Sequence, residues 1–375
     1  MTKILYIANI RLPTERAHGV QIMEMCSALA EAGADVELCV PRRRNAITLD
    51  PFVYYHLPQN PKFKVTQLAT WDLVHRGKLG FWIQSLTFAI AALWYARNAN
   101  AHIYSRDEMP LFLLSFFKKT FSYEPHAPLW NNVTTRVAES AHLLFPISLG
   151  LKEFYQHAGV PEEKMFIARD GVNLSRFTVS ESKEACREKL QLPPHAKIVL
   201  YSGHLYARKG AQIFADAAAQ LDMNTLCIFV GGTKEDIADF REKYGTQKNM
   251  IILGHKPHDE IPYYLSAADV LVLPNSAKNE DARLYTSPMK LFEYMASGTP
   301  VVASDVPSLR EVLTEENALL VTADEPKAFT HGIELLLSDE VLAGKLAARA
   351  KEDVKMYAWQ KRAEAVLKQI QKTNS

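Results

Sequence analysis

Two stretches in the second half of this 375-residue sequence hold residue types that could grip a doubly charged anion. The first is Tyr201-Ser-Gly-His-Leu-Tyr-Ala-Arg-Lys-Gly210, a glycine and a pair of cations on a short polar loop between an apolar run and a helix-forming run. A loop that leaves the carboxyl end of a parallel strand and opens onto a helix N-terminus is an anion site by geometry. Gly203 admits a close backbone approach, Arg208 and Lys209 bring positive charge to the same spot, and two linked phosphates would be the natural guest. An ordinary strand-to-helix turn carrying surface cations would use the same residues.

The second stretch is Tyr285-Thr-Ser-Pro-Met-Lys-Leu-Phe-Glu-Tyr-Met-Ala-Ser-Gly-Thr-Pro-Val-Val-Ala-Ser304. Ser287 is predicted to cap a helix whose first position is Pro288, so that the N–H groups at Met289 and Lys290 point out of the helix start toward a phosphate. Lys290 and Glu293 lie three apart on one helical face, where a cation and a carboxylate could reach one ligand. A carboxylate accepts the paired hydroxyls of a ribose well. A surface ion pair is the bland reading of the same spacing.

Positioning these residues requires a parallel sheet, and the sequence supplies its pattern twice. Short Val-, Ile- and Leu-rich runs alternate with helical stretches, as strands buried on both faces do. In the first half they fall at Ile4–Ala8, Val36–Val40, Ile103–Ser105, Thr120–Tyr123 and Leu143–Ile147, with a helix from about Val20 to Ala32 stopped by Gly33. In the second they fall at Ile198–Ser202, Leu226–Val230, Met250–Leu253, Val270–Leu273, Val301–Ala303 and Leu319–Thr322. The fold class expected is α/β, with two Rossmann-like doubly wound domains over 1–185 and 186–355, and a C-terminal helix over 356–375 packing back across them.

Composition limits the partners. Hydrophobic residues at 48% and charged residues at 23% suit a folded chain, and a formal charge of +1 leaves no global field for nucleic acid. The four cysteines show neither CxxC pairs nor zinc-ligand spacing and read as buried small apolar residues. From Lys3 the chain enters Ile4-Leu5-Tyr6-Ile7-Ala8, too short and regular for a signal-peptide core, so a cytosolic location is expected. Leu79–Ala96 is apolar but carries Gln84, Ser85 and Thr87, which favours a buried or membrane-facing helix over a span. Trp82, Trp94 and Tyr95 near its ends, with the basic run Arg42–Arg44, leave room for a peripheral contact at the inner face of a membrane.

The second half resembles the donor-binding domain of the retaining glycosyltransferases of the GT-B fold, family four. Besides the two clusters, Phe229-Val-Gly-Gly-Thr233, Ile252-Leu-Gly-His-Lys-Pro257 and Asp259 through Pro274 resemble that family's strand ends in unbroken order. The first half resembles it more loosely, through Arg16-Ala-His-Gly-Val-Gln-Ile22, Tyr123-Glu-Pro-His126, Ile147 through Lys152 and Asp170 through Phe177. The resemblance implies two domains facing a central cleft and transfer of a sugar from a nucleoside-diphosphate sugar to a glycan or lipid-linked hydroxyl, in cell-surface polysaccharide or glycolipid synthesis. It implies that Arg208 and Lys209 hold the diphosphate and Glu293 the ribose, and that Ser287 with the N–H groups after it completes the cradle. It also places Gly19, Gly203, Gly231 and His255 at the donor and His126 against the transferred sugar. Neither a metal nor a cofactor is expected, because a cationic cradle can replace a divalent ion. Two positions depart from the family: Tyr285 stands where a Glu is usual, and His204 where an Arg is frequent. A sugar-nucleotide epimerase of the same fold and a non-catalytic nucleotide-sugar-binding subunit are the rival readings.

Overall fold

The computed structural model describes residues 2–117 and 119–373, and the side chain of Arg208 lies outside that description. The chain divides into two compact units, Met1–Asp170 with Trp359–Ser375, and Gly171–Ala358. Among the described residues, the first unit holds strands β1 (Lys3–Ile7), β2 (Asp35–Pro41), β3 (Phe63–Leu68), β4 (His102–Ser105), β5 (Phe121–Tyr123) and β6 (Leu143–Leu144). They form a parallel sheet in the order β3-β2-β1-β4-β5-β6. The second unit holds β7 (Lys197–Ser202), β8 (Thr225–Val230), β9 (Met250–Gly254), β10 (Val270–Leu273), β11 (Val301–Ser304) and β12 (Leu319–Val321). Their order, β12-β11-β10-β7-β8-β9, repeats that of the first sheet when counted from its own first strand. Each sheet therefore reverses its winding once, between β1 and β4 and between β7 and β10. The carboxyl ends of those strands are where open parallel sheets bind ligands.

Both reversals are tied across by backbone contacts. In the first unit the Asn9 N–H, just past β1, donates to Asp107 Oδ2 just past β4 at 2.7 Å. In the second, Gly210 packs so close to the strand end that an added Cβ would fall 1.5 Å from the Pro274 carbonyl oxygen, and its φ is +77°.

Every strand expected from the sequence is present, some with shorter bounds, and β3 is an addition. Phe63–Leu68 mixes Lys64, Thr66 and Gln67 among its apolar residues because it is an edge strand, buried only at its ends. The unit boundary falls at 170/171 rather than at 185/186. The reason is Arg187, buried on the helix Lys183–Lys189, which donates to the Ala267 and Pro194 carbonyls at 2.9 and 2.8 Å and to Asp269 Oδ2 at 2.8 Å. With Val172 and Phe177 also in the second core, the stretch read as a linker belongs to that unit. The C-terminal helix, Trp359–Thr373, belongs to the first unit, where it packs on the helix Ala17–Glu31. It buries Trp359, Arg362, Ala363, Val366, Leu367 and Ile370 at three- and four-residue spacing.

The apolar segment forms the helix Gly77–Asn98 of the first unit. It turns Phe88 and a set of small and polar residues inward, among them Gly80, Gln84, Ser85 and Ala92, and leaves most of its other large apolar side chains outside. Val74–Asn98 is long and apolar enough to cross a membrane by length and composition, yet Gln84 Nε2 donates to Asn9 Oδ1 at 2.8 Å and fixes the helix to the loop after β1.

Two glycine substitutions should move stability in opposite directions. Gly210→Ala is expected to cost roughly 3 kcal/mol, from the left-handed backbone and the clash with Pro274. Gly344→Ala, on the helix Glu340–Asp353 with nothing within 4 Å of the new methyl, should gain up to about 1 kcal/mol. Urea unfolding of the two variants reads both signs.

Candidate functional site

In the second unit the residues expected at an anion site converge on the reversal between β7 and β10. β7 ends at Ser202 and the chain turns at Gly203, whose φ is +133° and whose N–H donates to the Val230 carbonyl at 2.8 Å. The Tyr201 hydroxyl donates to the His204 carbonyl at 2.6 Å, closing the loop before Ala207–Lys209 and the helix Ala211–Ala218. Gly231 serves this loop. A Cβ there would sit 2.4 Å from the Gly203 oxygen, so the glycine lets the turn after β8 rest on the turn after β7.

The helix Met289–Ser297 meets that loop. Its Tyr294 hydroxyl accepts from the Ser202 N–H at 2.7 Å. One turn earlier, Lys290 Nζ lies 4.2 Å from the centroid of the Tyr201 ring and 3.7 Å from where a Gly203 Cβ would be. This ammonium is buried and has no hydrogen-bond partner among the described residues. Burial first, and then the charge of Lys209, push it well below the usual lysine range, against the pull of Glu293. The charged form of Lys290 is thus disfavoured in the protein alone, and an anion beside it would favour that form. The helix starts one residue later than expected. Pro288, extended at φ −77° and ψ 122°, is the N-cap and Ser287 is not, so the open amides belong to Met289 and Lys290.

Glu293 is nearly buried and is held from an unexpected side. His258 Nδ1 takes a hydrogen bond from Arg176 at 3.3 Å, which leaves the proton on Nε2 to donate to Glu293 Oε1 at 3.1 Å. Glu293 Oε2 makes no hydrogen bond among the described residues and is available to a ligand hydroxyl. His255, expected at the donor, stands exposed on the same loop, and the contact to Glu293 falls to His258 instead. His204 stacks on Tyr206 at 4.8 Å and has Nδ1 3.5 Å from Asp236 Oδ2. Tyr285 ends the turn Asp281–Tyr285, its phenol raised by burial and by Glu280.

In the first unit the residues expected from sequence are gathered by one the sequence reading passed over. Glu124, just past β5 and fully buried, accepts from Gln21 Nε2 at 2.8 Å and His126 Nε2 at 2.7 Å through Oε1. Its Oε2 accepts from the Tyr104 hydroxyl and from Arg362 Nη2, the latter at 2.8 Å. Burial opposes its ionisation, but Arg362 and the His126 bond hold it well below the usual carboxylate range. His126 is pushed down to about 4 by burial, with Arg106 adding to the effect against the pull of Glu124. The ring is therefore neutral at pH 7, donating through Nε2 and presenting Nδ1 as an acceptor. Gly19 has a packing reason within its own unit. A Cβ there would lie 2.3 Å from the Tyr55 hydroxyl, which itself accepts from the Thr14 N–H at 2.8 Å and donates to the Thr14 carbonyl at 2.9 Å. The glycine makes room for Tyr55, which fastens the loop after β1.

Glu124 and Arg362 carried a signal that could have been read. One is a carboxylate two residues before a strand-end histidine, and the other a cation on the apolar stripe of an amphipathic helix. The His258–Glu293 contact joins residues 35 apart and leaves no local pattern.

Comparison with known proteins gives this geometry a context. Residues 182–355 match the family model described as glycosyl transferases group 1. Among curated relatives, D-inositol 3-phosphate glycosyltransferase of Corynebacterium glutamicum is 26% identical over 223 residues, covering 56% of this chain and 52% of that protein. A putative teichuronic acid biosynthesis glycosyltransferase of Bacillus subtilis, TuaC, is 28% identical over 186 residues, 49% of this chain and 44% of that one. The chain spans about half the length of these curated relatives. Among solved structures, sucrose-phosphate synthase of Thermosynechococcus elongatus superposes with a TM-score of 0.80 at 22% identity over 99% of both chains. HepE of Anabaena, solved in complex with UDP and glucose, gives 0.78 at 18% identity over 99% of this chain and 100% of that one. These likenesses establish the fold, two α/β units of the GT-B kind.

The buried ammonium predicts a pH signature. Because the folded-state pKa of Lys290 is lowered, the unfolded chain binds the extra proton, and folding stability from this group rises with pH between the depressed value and the unfolded value near about 10.4. Lys290→Met should remove that slope and leave the midpoint equal to or above that of wild type at pH 7. Denaturation of both proteins at several pH values measures the difference, and parallel curves would contradict it.

Proposed function

We propose that the chain, whose residues 182–355 match the glycosyl transferases group 1 model, transfers a sugar from a nucleoside-diphosphate sugar to an acceptor hydroxyl with retention at the anomeric carbon, as a member of family four. The observation that carries this reading is the buried, unpartnered Lys290 ammonium beside Lys209, at the start of a helix that also presents Glu293. The diphosphate takes the place of the missing counter-ion, contacting Lys290, Lys209 and the amides of Met289 and Lys290. The ribose hydroxyls bond Glu293 Oε2, whose partner oxygen is already engaged by His258. Arg208, whose side chain lies outside the description, keeps the diphosphate role that the family resemblance gives it.

As the glycosidic C–O bond breaks, negative charge grows on the departing phosphate, and fixed cations in a dry site stabilise it without reorganising. The acceptor oxygen bonds to the anomeric carbon from the same face and its proton passes to a phosphate oxygen, so no enzyme nucleophile is required. His126, with a neutral Nδ1 as its acceptor, keeps the role that the family resemblance gives it. With cations already doing the work of a Lewis acid, turnover proceeds without a divalent metal. The acceptor is a glycan or lipid-linked sugar on the cytoplasmic side of a membrane, in synthesis of a cell-surface polysaccharide or glycolipid. The naming of TuaC for teichuronic acid biosynthesis supports that class of product.

The test starts with thermal stability against a panel of nucleotides and nucleotide sugars, with UDP first because HepE was solved with it. Binding raises the midpoint. One nucleoside diphosphate should produce a shift that Lys209→Ala and Glu293→Ala each abolish. Product from the matching sugar donor should keep the donor's anomeric configuration by NMR, at a rate unchanged by EDTA. An inverted product, or activity restored only by magnesium or manganese, would sink retention or metal independence respectively.

A further inference from the structure

Apart from buried Phe88, the helix Gly77–Asn98 shows most of its larger side chains to water. Leu79, Trp82, Leu86, Ile90 and Trp94 recur every three or four residues and are 74%, 59%, 47%, 42% and 62% exposed. At about 1.5 Å per residue this stripe runs roughly 22 Å along the helix. Soluble surfaces rarely expose so long a contiguous row of large apolar groups without a partner. The row widens at both flanks. Trp71, 70% exposed, is held beside it by its N–H bond to Thr87 Oγ1 at 3.2 Å. Arg97 stacks over both Trp94 and Phe117, at 5.1 and 5.3 Å, and Arg136 lies 3.9 Å over exposed Phe116.

Charge decides what covers this face. From Leu73 to Asn98 the chain has no carboxylate, while Arg76, Lys78 and Arg97 are exposed at its two ends. Asp72, just before, is engaged by Arg43 Nε at 3.4 Å and the Arg44 N–H at 2.8 Å. Pairing two copies along the stripe, in either direction, would oppose cation to cation with no acid on the helix to relieve them, and Glu37 beside its end is already engaged by Tyr95, Thr66 and Lys64. An anionic lipid surface offers the complementary charge at both ends and an apolar interior between, and tryptophans settle at such an interface. The inward face cannot leave the protein, because Gln84 and Ser85 are bonded to Asn9, the latter accepting from Asn9 Nδ2 at 3.0 Å. With these bonds in place the helix does not span a bilayer.

We propose that the outer face of Gly77–Asn98, extended by Trp71 and Phe116, is a docking surface for an anionic bilayer. It rests on the reading above only for its purpose, which is to bring the first unit to lipid-linked acceptors; the binding itself does not depend on the nucleotide site. Asn9 joins the docked helix directly to the loop after β1, so the carboxyl end of that sheet is held at a fixed height above the lipid.

Vesicle co-sedimentation of the full chain tests this. Wild type should bind vesicles of phosphatidylcholine with about one third phosphatidylglycerol at low salt, and bind pure phosphatidylcholine at least tenfold more weakly. Trp82→Ser with Trp94→Ser should lower binding to the anionic vesicles at least tenfold. Arg76→Gln with Lys78→Gln should erase the preference between the two compositions. Unchanged unfolding midpoints and an unchanged nucleotide-induced shift show that the variants fold, and loss of that shift in wild type would touch only the transferase reading. Absence of wild-type binding to either vesicle, or equal binding by the tryptophan variant, would overturn the proposal. So would sedimentation showing a lipid-free dimer that the tryptophan variant converts to monomer, which would give this face to a second copy.

Discussion

The hydroxyl of Tyr294 accepts from the Ser202 N–H and so joins a helix to the end of the strand it faces. The candidate donor geometry in the second unit follows from that bond. Lys290, one turn earlier, shares the face of Tyr294 and is carried over Tyr201 and the Gly203 turn. Glu293, one residue earlier, is rotated by about 100° around the helix and meets the loop after β9, where His258 waits. The strand-side loop can be so near because Gly210 and Gly231 bring backbone against backbone. The cations and the carboxylate thus take their places from an apolar helix pinned at one polar point.

The first unit solves the same problem with a buried charge pair. Glu124 receives four hydrogen bonds, one from an arginine that the C-terminal helix brings back from the far end of the sequence. Arg362 also donates to the carbonyls of Ala168 and Arg169, at 3.1 and 2.8 Å, while its Nη1 is buried without a hydrogen-bond partner among the described residues. Removing one partner of such a pair costs about 3–5 kcal/mol, whereas the intact pair contributes little net stability. Its effect is specificity of position. With Glu124 fixed, His126 has one tautomer and one orientation, and its neutral Nδ1 is the polar atom it offers.

Strand positions were legible in the sequence because parallel strands buried on both faces are written as unbroken apolar runs. β3 was not, since an edge strand keeps polar residues on its open side. The phosphate-side residues were legible as a type, through glycines, cations and a helix start in local order. What local order cannot show is convergence. His258 reaches Glu293, and Arg362 reaches Glu124, across 35 and 238 positions respectively. The cap failed for a local reason: the proline before Met289 took an extended backbone and became the boundary itself, displacing Ser287. The domain boundary failed because Arg187 looked like one more charge in a polar stretch, yet it is buried and holds that stretch to the second core.

Lys290 separates a structural role from a functional one. Arg187 and Arg362 are also buried cations, and each faces a carboxylate and backbone carbonyls, as a charge held for stability must. Lys290 has an aromatic face below it, another lysine nearby, and no hydrogen-bond partner among the described residues. A cation over tyrosine gains at most about 2 kcal/mol, less than the several kcal/mol that desolvating an ammonium costs. Within the protein alone this arrangement is unfavourable. On the proposed reading a diphosphate would reverse the sign: the same desolvation would strengthen every attraction to the ligand, and the depressed pKa would recover as the anion arrived. The strain that the free protein carries at Lys290 is the preorganisation that a departing phosphate would meet in the transition state.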